Sequence, residues 1–166
     1  NAATGKRLVG ASTITQQVAK NFLLSSERSL TRKIKEAVLA YRISKAYSKE
    51  HVLELYLNEI YLGNRAYGVA AAALNYFNKA LSELTIEEAA YLAALPKGPN
   101  NYNPQKRYDA AVARRNWVIG RMAEDGYISE EHAEAAKQKP FETVERKFGY
   151  LEDGEYFSDE VRRLLS

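Results

Sequence analysis

The stretch Gly10-Ala11-Ser12-Thr13-Ile14-Thr15-Gln16-Gln17-Val18-Ala19-Lys20 reads as the start of a helix. Thr13-Ile14-Thr15-Gln16 fits a capping box, in which the first and fourth side chains satisfy each other's backbone N–H groups. It predicts a helix from about Thr13 to Lys20, and similar start and stop signals recur down the chain. A second helix is expected from about Leu30 to Ala46, with Ile34, Val38 and Tyr41 as an apolar stripe at helical spacing. Ser48 caps a third, whose stripe is Leu53, Leu57 and Ile60, and Gly63 stops it. Gly68 to Phe77 is alanine-rich, so its small side chains allow close packing against a neighbour. Thr85-Ile86-Glu87-Glu88 is another capping box, opening a helix that ends before Pro96. An Asn- and Pro-rich loop, 98–106, precedes a helix from about Tyr108 to Asp125, stopped by Gly126. A short helix then runs from Ser129 to Lys137, before Pro140. Residues 141–166 read as less regular, with a short amphipathic helix near Ser158–Leu165. No alternating strand pattern interrupts the series before that tail, so the expected fold class is all-α.

Composition agrees with a packed domain. The chain has 166 residues, 46% hydrophobic and 27% charged, which excludes intrinsic disorder. Its lack of cysteines excludes a disulfide scaffold. The longest apolar run, Ala89 to Leu95, has seven residues, far short of the roughly 20 that a membrane helix needs.

The net charge of +3 conceals an asymmetry. Residues 1–50 carry ten Lys and Arg against three acids, whereas the segments 51–100 and 101–166 are each slightly acidic. The positive field therefore lies in the N-terminal third, where it would steer an anionic partner: nucleic acid, anionic lipid or diphosphate.

Two polar constellations stand out. Ser12, Thr13, Gln16 and Gln17, followed by Lys20, gather hydroxyl and amide groups at a helix N-terminus, a surface suited to sugars or phosphate. Ser12 and Thr13 serve equally well as simple caps, but Gln16, Gln17 and Lys20 exceed what a cap requires. In the second, Arg32 and Lys33 stand four and three residues before Glu36, so both cations share a helix face with one carboxylate. A carboxylate in that setting stays ionised, which suits orienting cations or stabilising charge better than acting as a general acid. The cations could receive a diphosphate leaving group; an exposed helix salt bridge is the simpler alternative. Glu54, Asn58 and Tyr61 share another face, either as site residues or as buried helix-packing polar groups. His51 and His132 fall in helix first turns, with capping or solvent-facing roles. Without cysteines or clustered histidines, a dedicated transition-metal site is not expected.

These residues resemble a known family. Gly10-Ala11-Ser12-Thr13-Ile14-Thr15-Gln16-Gln17 is similar to the second signature motif of the peptidoglycan glycosyltransferases (glycosyltransferase family 51), found in class A penicillin-binding proteins and monofunctional transglycosylases. Arg32-Lys33-Ile34-Lys35-Glu36 resembles the third motif and Val52-Leu53-Glu54-Leu55-Tyr56-Leu57-Asn58 the fourth. Arg65-Ala66-Tyr67-Gly68 through Tyr76-Phe77-Asn78-Lys79 resembles the fifth. Four motifs in order, at family-like spacing, are far more specific than any one. Two departures stand out. Asn78 replaces the family's usual glycine, a change expected to act on a helix end. The first motif, a Glu-Asp pair followed by Phe and His whose Glu is the proposed general base, is absent, since the first acidic residue here is Glu27.

The resemblance implies a lysozyme-like helical glycosyltransferase fold, N-terminally truncated. Residues 1–140 would form a partial glycosyltransferase domain, and 141–166 would lead toward a transpeptidase domain. It implies polymerisation of lipid II into glycan strands, by inverting transfer from an undecaprenyl-diphosphate donor to an acceptor 4-hydroxyl. The chain alone would be inactive, because the base is missing. By motif, Glu36 is the second catalytic carboxylate, and Arg32, Lys33, Arg28 and Lys20 hold the donor diphosphate. Ser12, Thr13, Gln16 and Gln17 line the cleft, with Glu54, Asn58, Arg65 and Lys97 around the sugar or supporting the site. No residue requires a cofactor, although a divalent cation (Mg or Mn) is compatible with the diphosphate.

The implied partners are lipid II, the growing glycan, the membrane surface and the parent protein's transpeptidase domain, with moenomycin as inhibitor and no nucleic acid. The implied location is the extracytoplasmic face of the bacterial inner membrane, anchored by an upstream helix, with Phe22-Leu23-Leu24 either dipping into lipid or packing in the core. Two alternatives compete. A lysozyme-class hydrolase or lytic transglycosylase would need a carboxyl with raised pKa, which a cation-flanked Glu36 does not offer. A helical nucleic-acid-binding module is prompted by Arg114-Arg115, but the acids of 124–134 offset that charge.

Overall fold

The computed structural model describes residues 12–22 and 29–144. Leu23, Leu24, Glu27, Arg28 and the helix expected near Ser158–Leu165 lie outside the described residues. Seven α-helices are present among those described: α1 Ile14–Phe22, α2 Leu30–Ala46, α3 Lys49–Glu59, α4 Val69–Phe77, α5 Ile86–Ala94, α6 Tyr108–Glu124 and α7 Glu130–Gln138. No strand occurs among them; an isolated bridge pairs Tyr61 with Tyr67. The all-α expectation holds. No described helix is long and apolar enough to cross a membrane.

Helix starts follow local chemistry. Ser29, Ser48 and Ser129 accept from the backbone N–H three residues on, which fixes the N-termini of α2, α3 and α7. The first capping box closes as expected, with Thr13 and Gln16 exchanging backbone and side-chain bonds of 3.1 and 3.2 Å. The second closes by half: Thr85 N–H donates to Glu88 Oε2 at 2.9 Å, while the Thr85 hydroxyl accepts nothing from the described residues. α4 ends at Asn78, whose φ of 54° and ψ of 41° place a non-glycine residue in the left-handed region. That is the helix-end role expected for this departure from the family pattern.

Packing forms three apolar clusters. α1, α2 and α3 enclose Val18, Ala19, Ala40, Ile43, Val52 and Tyr56. A larger cluster joins α4, α5 and α6 through Leu62, Ala72, Ala73, Tyr76, Phe77, Tyr91, Leu95 and Phe141. Ala72 and Ala73 of α4 have no solvent exposure at all, so helices approach closely there. A third cluster, with Ala90, Ile119, Ala133 and Ala136, seats α7 on α5 and α6. Tyr91 donates to the Tyr102 carbonyl, and Val144 N–H to the Tyr76 carbonyl, tying the following chain back to α4.

Two expected stripes are corrected. Ile34, Val38 and Tyr41 are exposed, because α2 turns Glu36, Ala40 and Ile43 inward instead. Spacing shows that a face is apolar, not that a neighbour covers it. On α3 the buried pair is Val52 and Tyr56; Leu53 is exposed, while Leu57 and Ile60 are half-buried. The inward face lies one residue from the stripe expected.

Candidate functional site

The second constellation assembles around Glu36. α2 begins at its Ser29 cap, so the helical repeat carries Arg32 and Lys33 onto the face that Glu36 shares. Lys33 Nζ donates to Glu36 Oε2 at 2.9 Å and to Ser12 Oγ at 3.2 Å. Arg32 Nε lies 3.1 Å from Glu36 Oε1, a charge contact set off the line of a good hydrogen bond. Glu36 is only 2% exposed, covered by neighbouring side chains. The Lys33 hydrogen bond, with the charges of Lys33, Arg32 and Lys20, outweighs the cost of burial and holds its carboxyl below the usual carboxylate range. Cations outnumber the carboxylate, so the cluster retains positive charge for an anionic ligand.

The structure thus joins residues from both constellations: Ser12 and Lys20 from the α1 segment, and Arg32, Lys33 and Glu36 from α2. The simple salt-bridge alternative does not describe this pair, because Glu36 is buried. Thr13 and Gln16 are spent in part on the α1 cap, so Gln16 does not exceed what the cap uses. Gln17 donates to the Ser12 carbonyl at 3.5 Å.

Other expected site residues lie apart from this cluster, and no hydrogen bond or ion pair among the described residues joins them to Glu36. Glu54 is exposed and pairs with His51 Nδ1 at 3.2 Å. Asn58 is exposed as well, which removes the buried helix-packing reading for both. Arg65 is exposed in the α3–α4 connection, and Lys97 ends a short 3-10 turn after α5. Arg28 lies outside the described residues. His51 and His132 occupy exposed first turns, as expected.

Sequence reasoning missed Asn75. This buried amide donates to the Asn64 carbonyl at 3.2 Å and steadies the turn that presents Arg65. The only advance signal was a polar residue among the small apolar ones of α4.

The buried carboxylate of the cluster is committed to two cations, and no group of three metal-ligating side chains gathers among the described residues.

The two arginines that prompted the nucleic-acid alternative do not form an exposed basic pair. Arg115 is buried and donates to the Lys137 and Lys139 carbonyls, closing the end of α7, while the Arg114 guanidinium stacks 4.0 Å from the Trp117 ring centre.

A profile of the transglycosylase family matches residues 1–123. The chain belongs to the transglycosylase family. It is similar to penicillin-binding protein 1A of Rickettsia felis, at 54% identity over 95% of this chain and 20% of that protein. The Aquifex aeolicus protein of the same name is 51% identical over 98% of this chain and 22% of its own length. The Escherichia coli K12 protein is 56% identical over 77% of this chain and 15% of its own length. The chain therefore spans about a fifth of the length of these relatives. Its fold is similar to the crystal structure of penicillin-binding protein 1A from Haemophilus influenzae, with a TM-score of 0.56 and 37% identity. That match covers 90% of this chain and 19% of the other. Membership in the transglycosylase family and the all-helical, lysozyme-like fold expected from the motifs agree.

Proposed function

We propose that this chain supplies the donor side of a peptidoglycan glycosyltransferase site, in which lipid II is polymerised into glycan strands. One observation supports it above the rest: in a transglycosylase-family chain, a buried carboxylate is kept ionised by Lys33, Arg32 and Lys20 beside Ser12. Fixed cations are most useful where a leaving group gains negative charge, and a departing prenyl diphosphate does so. Lys33, Arg32 and Lys20, with Arg28, bind the diphosphate, and Glu36 holds the first two in register. Ser12, Thr13, Gln16 and Gln17 face the donor head group, and Glu54, Asn58, Arg65 and Lys97 serve the sugars.

The acceptor 4-hydroxyl loses its proton to a base carried by a Glu-Asp motif that this sequence does not contain. It attacks the anomeric carbon from the face opposite the departing diphosphate, and configuration inverts. A hydrolase reading finds less support, since glycoside cleavage calls for a carboxylic acid with raised pKa, and Glu36 is shifted the other way. Any divalent cation would come with the diphosphate rather than sit in a protein cage. The setting that follows is a bacterial cell envelope, with the transpeptidase domain and anchor in the same polypeptide and moenomycin as competitor.

The test is lipid II polymerisation followed by gel separation of glycan products. The 166-residue chain is expected to give none; joined to the first motif it gives polymer, and Glu36→Gln in that longer protein abolishes it. Turnover that survives Glu36→Gln overturns the role given to Glu36.

A further inference from the structure

Three large apolar side chains left partly open to solvent converge on one hollow. Ile14 of α1, Leu53 of α3 and Tyr47 in the connection between α2 and α3 are 42%, 43% and 50% exposed. Scattered singly, such residues would call for no explanation. Here they border a single concavity of about 420 Å³, with buried Val52 also in its lining. Small-molecule sites typically measure about 300–1,000 Å³.

The walls are held in place by the fold. Val52 belongs to the core that joins α1, α2 and α3. The Tyr47 ring lies 5.0 Å from the His51 ring, inclined at 36°, and Tyr47 N–H bonds the Ile43 carbonyl at 3.0 Å. Ser44, a further lining residue, donates to the Tyr41 carbonyl at 2.8 Å. A hollow formed in advance loses little further order when it is filled.

Helix geometry separates this hollow from the residues assigned to substrate. Ser12, Gln16 and Lys20 recur four apart along one side of α1, and Ile14 lies about 160° round from Gln16. On α3, Lys49 and Leu53 share a side about 140° from the one that carries Glu54 and Asn58.

The lining also selects a ligand. Its walls are mostly carbon, and Lys49, exposed at the start of α3, is its only charged residue. No acid lines the hollow to offset that charge; the neighbouring Glu50 carboxyl is held by Ser48 and the backbone at the helix start. Thr15 adds a hydroxyl donor. The matching molecule has an apolar body and one anionic end. A glycan would set its hydroxyls against carbon, diphosphate has no apolar body, and a bilayer is flat where this surface is concave.

We propose that the hollow binds a medium-chain carboxylate, its acyl body against Ile14, Tyr47 and Leu53 and its head group on Lys49. The proposal stands apart from the glycan-transfer reading. Its test titrates the 166-residue chain at pH 7 with octanoate, octan-1-ol and octylammonium, at concentrations where none aggregates, followed by NMR of backbone amides. Octanoate is expected to shift the Thr15, Ser44 and Leu53 amides saturably. Octan-1-ol should bind about three- to fivefold more weakly, the scale of one exposed charge pair, and octylammonium more weakly still. Lys49→Met should bring octanoate to the affinity of octan-1-ol, and Leu53→Ala should weaken both about fivefold. Inorganic diphosphate should not displace octanoate.

Octanoate that shifts none of these amides, binds no better than the other two probes, or binds Leu53→Ala as tightly as wild type overturns the proposal. So does displacement by inorganic diphosphate, which would place the carboxylate in the Glu36 cluster instead. Matching melting curves verify that both variants fold, and Lys49→Met, at an exposed position, carries the test by itself if Leu53→Ala does not.

Discussion

Replacing Glu36 by Gln tests the central cluster through stability alone, without substrate. The amide keeps the shape of the carboxylate but removes the charge that Lys33, Arg32 and Lys20 surround. Lys33 loses the anionic acceptor of its 2.9 Å bond, and the three cations then repel with nothing between them. A hydrogen bond to a charged group contributes about 1.5–3 kcal/mol. The Lys33 side chain is half exposed, so solvent screening reduces the expected loss to about 1–2 kcal/mol. For a chain of this size that lowers Tm by roughly 3–6 °C at pH 7.

The pH dependence has a definite sign. Because the folded-state pKa of Glu36 is lowered, its contribution is complete above the unfolded value of about 4.3 and disappears as pH falls through the folded one. The gap between wild type and Glu36→Gln should therefore be widest near neutrality and close in acid, below the ordinary carboxylate range. Thermal melts of both proteins from neutral pH down to acid measure it, and Lys33→Met in a double-mutant cycle separates the direct pair. A Glu36→Gln protein as stable as wild type at pH 7, or a gap unchanged in acid, would refute this account of the cluster.

Three further substitutions probe the scaffold. Asn78→Gly relieves the left-handed residue at the end of α4 and should raise stability by about 0.5 kcal/mol, after glycine's entropic cost, in urea melts. Arg115→Met removes the donors that close α7 and should cost about 3 kcal/mol, with α7 amide protection falling first in hydrogen exchange. Gly68→Ala places a methyl against the Asn58 carbonyl at a positive φ, and a loss of more than about 2 kcal/mol by chemical denaturation is expected.

Much of this fold was legible because its helix ends are written locally. Ser29, Ser48 and the Thr13–Gln16 capping box act on residues three positions away, so α2 begins and ends where the sequence placed it. Which way a helix faces depends on neighbours distant in sequence. Ile34, Val38 and Tyr41 have the right spacing for a core stripe, yet α1 and α3 approach α2 from the Ala40 and Ile43 side. The site divided along the same line. Glu36, Arg32 and Lys33 sit within one helical turn and were readable from spacing, whereas the Lys33–Ser12 bond crosses between segments and no spacing within one helix announces it. Asn75 gave no signal because its partner is a backbone carbonyl eleven residues away, created by the turn itself.

The separate apolar clusters give the molecule unequal local stability. Glu36 and its cations ride on α1–α3, whose interior holds small side chains such as Ala19 and Ala40, while the aromatic cluster of Tyr76, Phe77, Tyr91 and Phe141 lies beneath α4–α6. Fraying of the nine-residue α1 would draw Ser12 and Lys20 away from the carboxylate and leave the aromatic cluster intact. Ligand-binding capacity can then be lost at a free-energy cost well below that of global unfolding. A diphosphate that bridges α1 and α2 would act as a clasp, adding stability to the helices that carry the carboxylate and its cations.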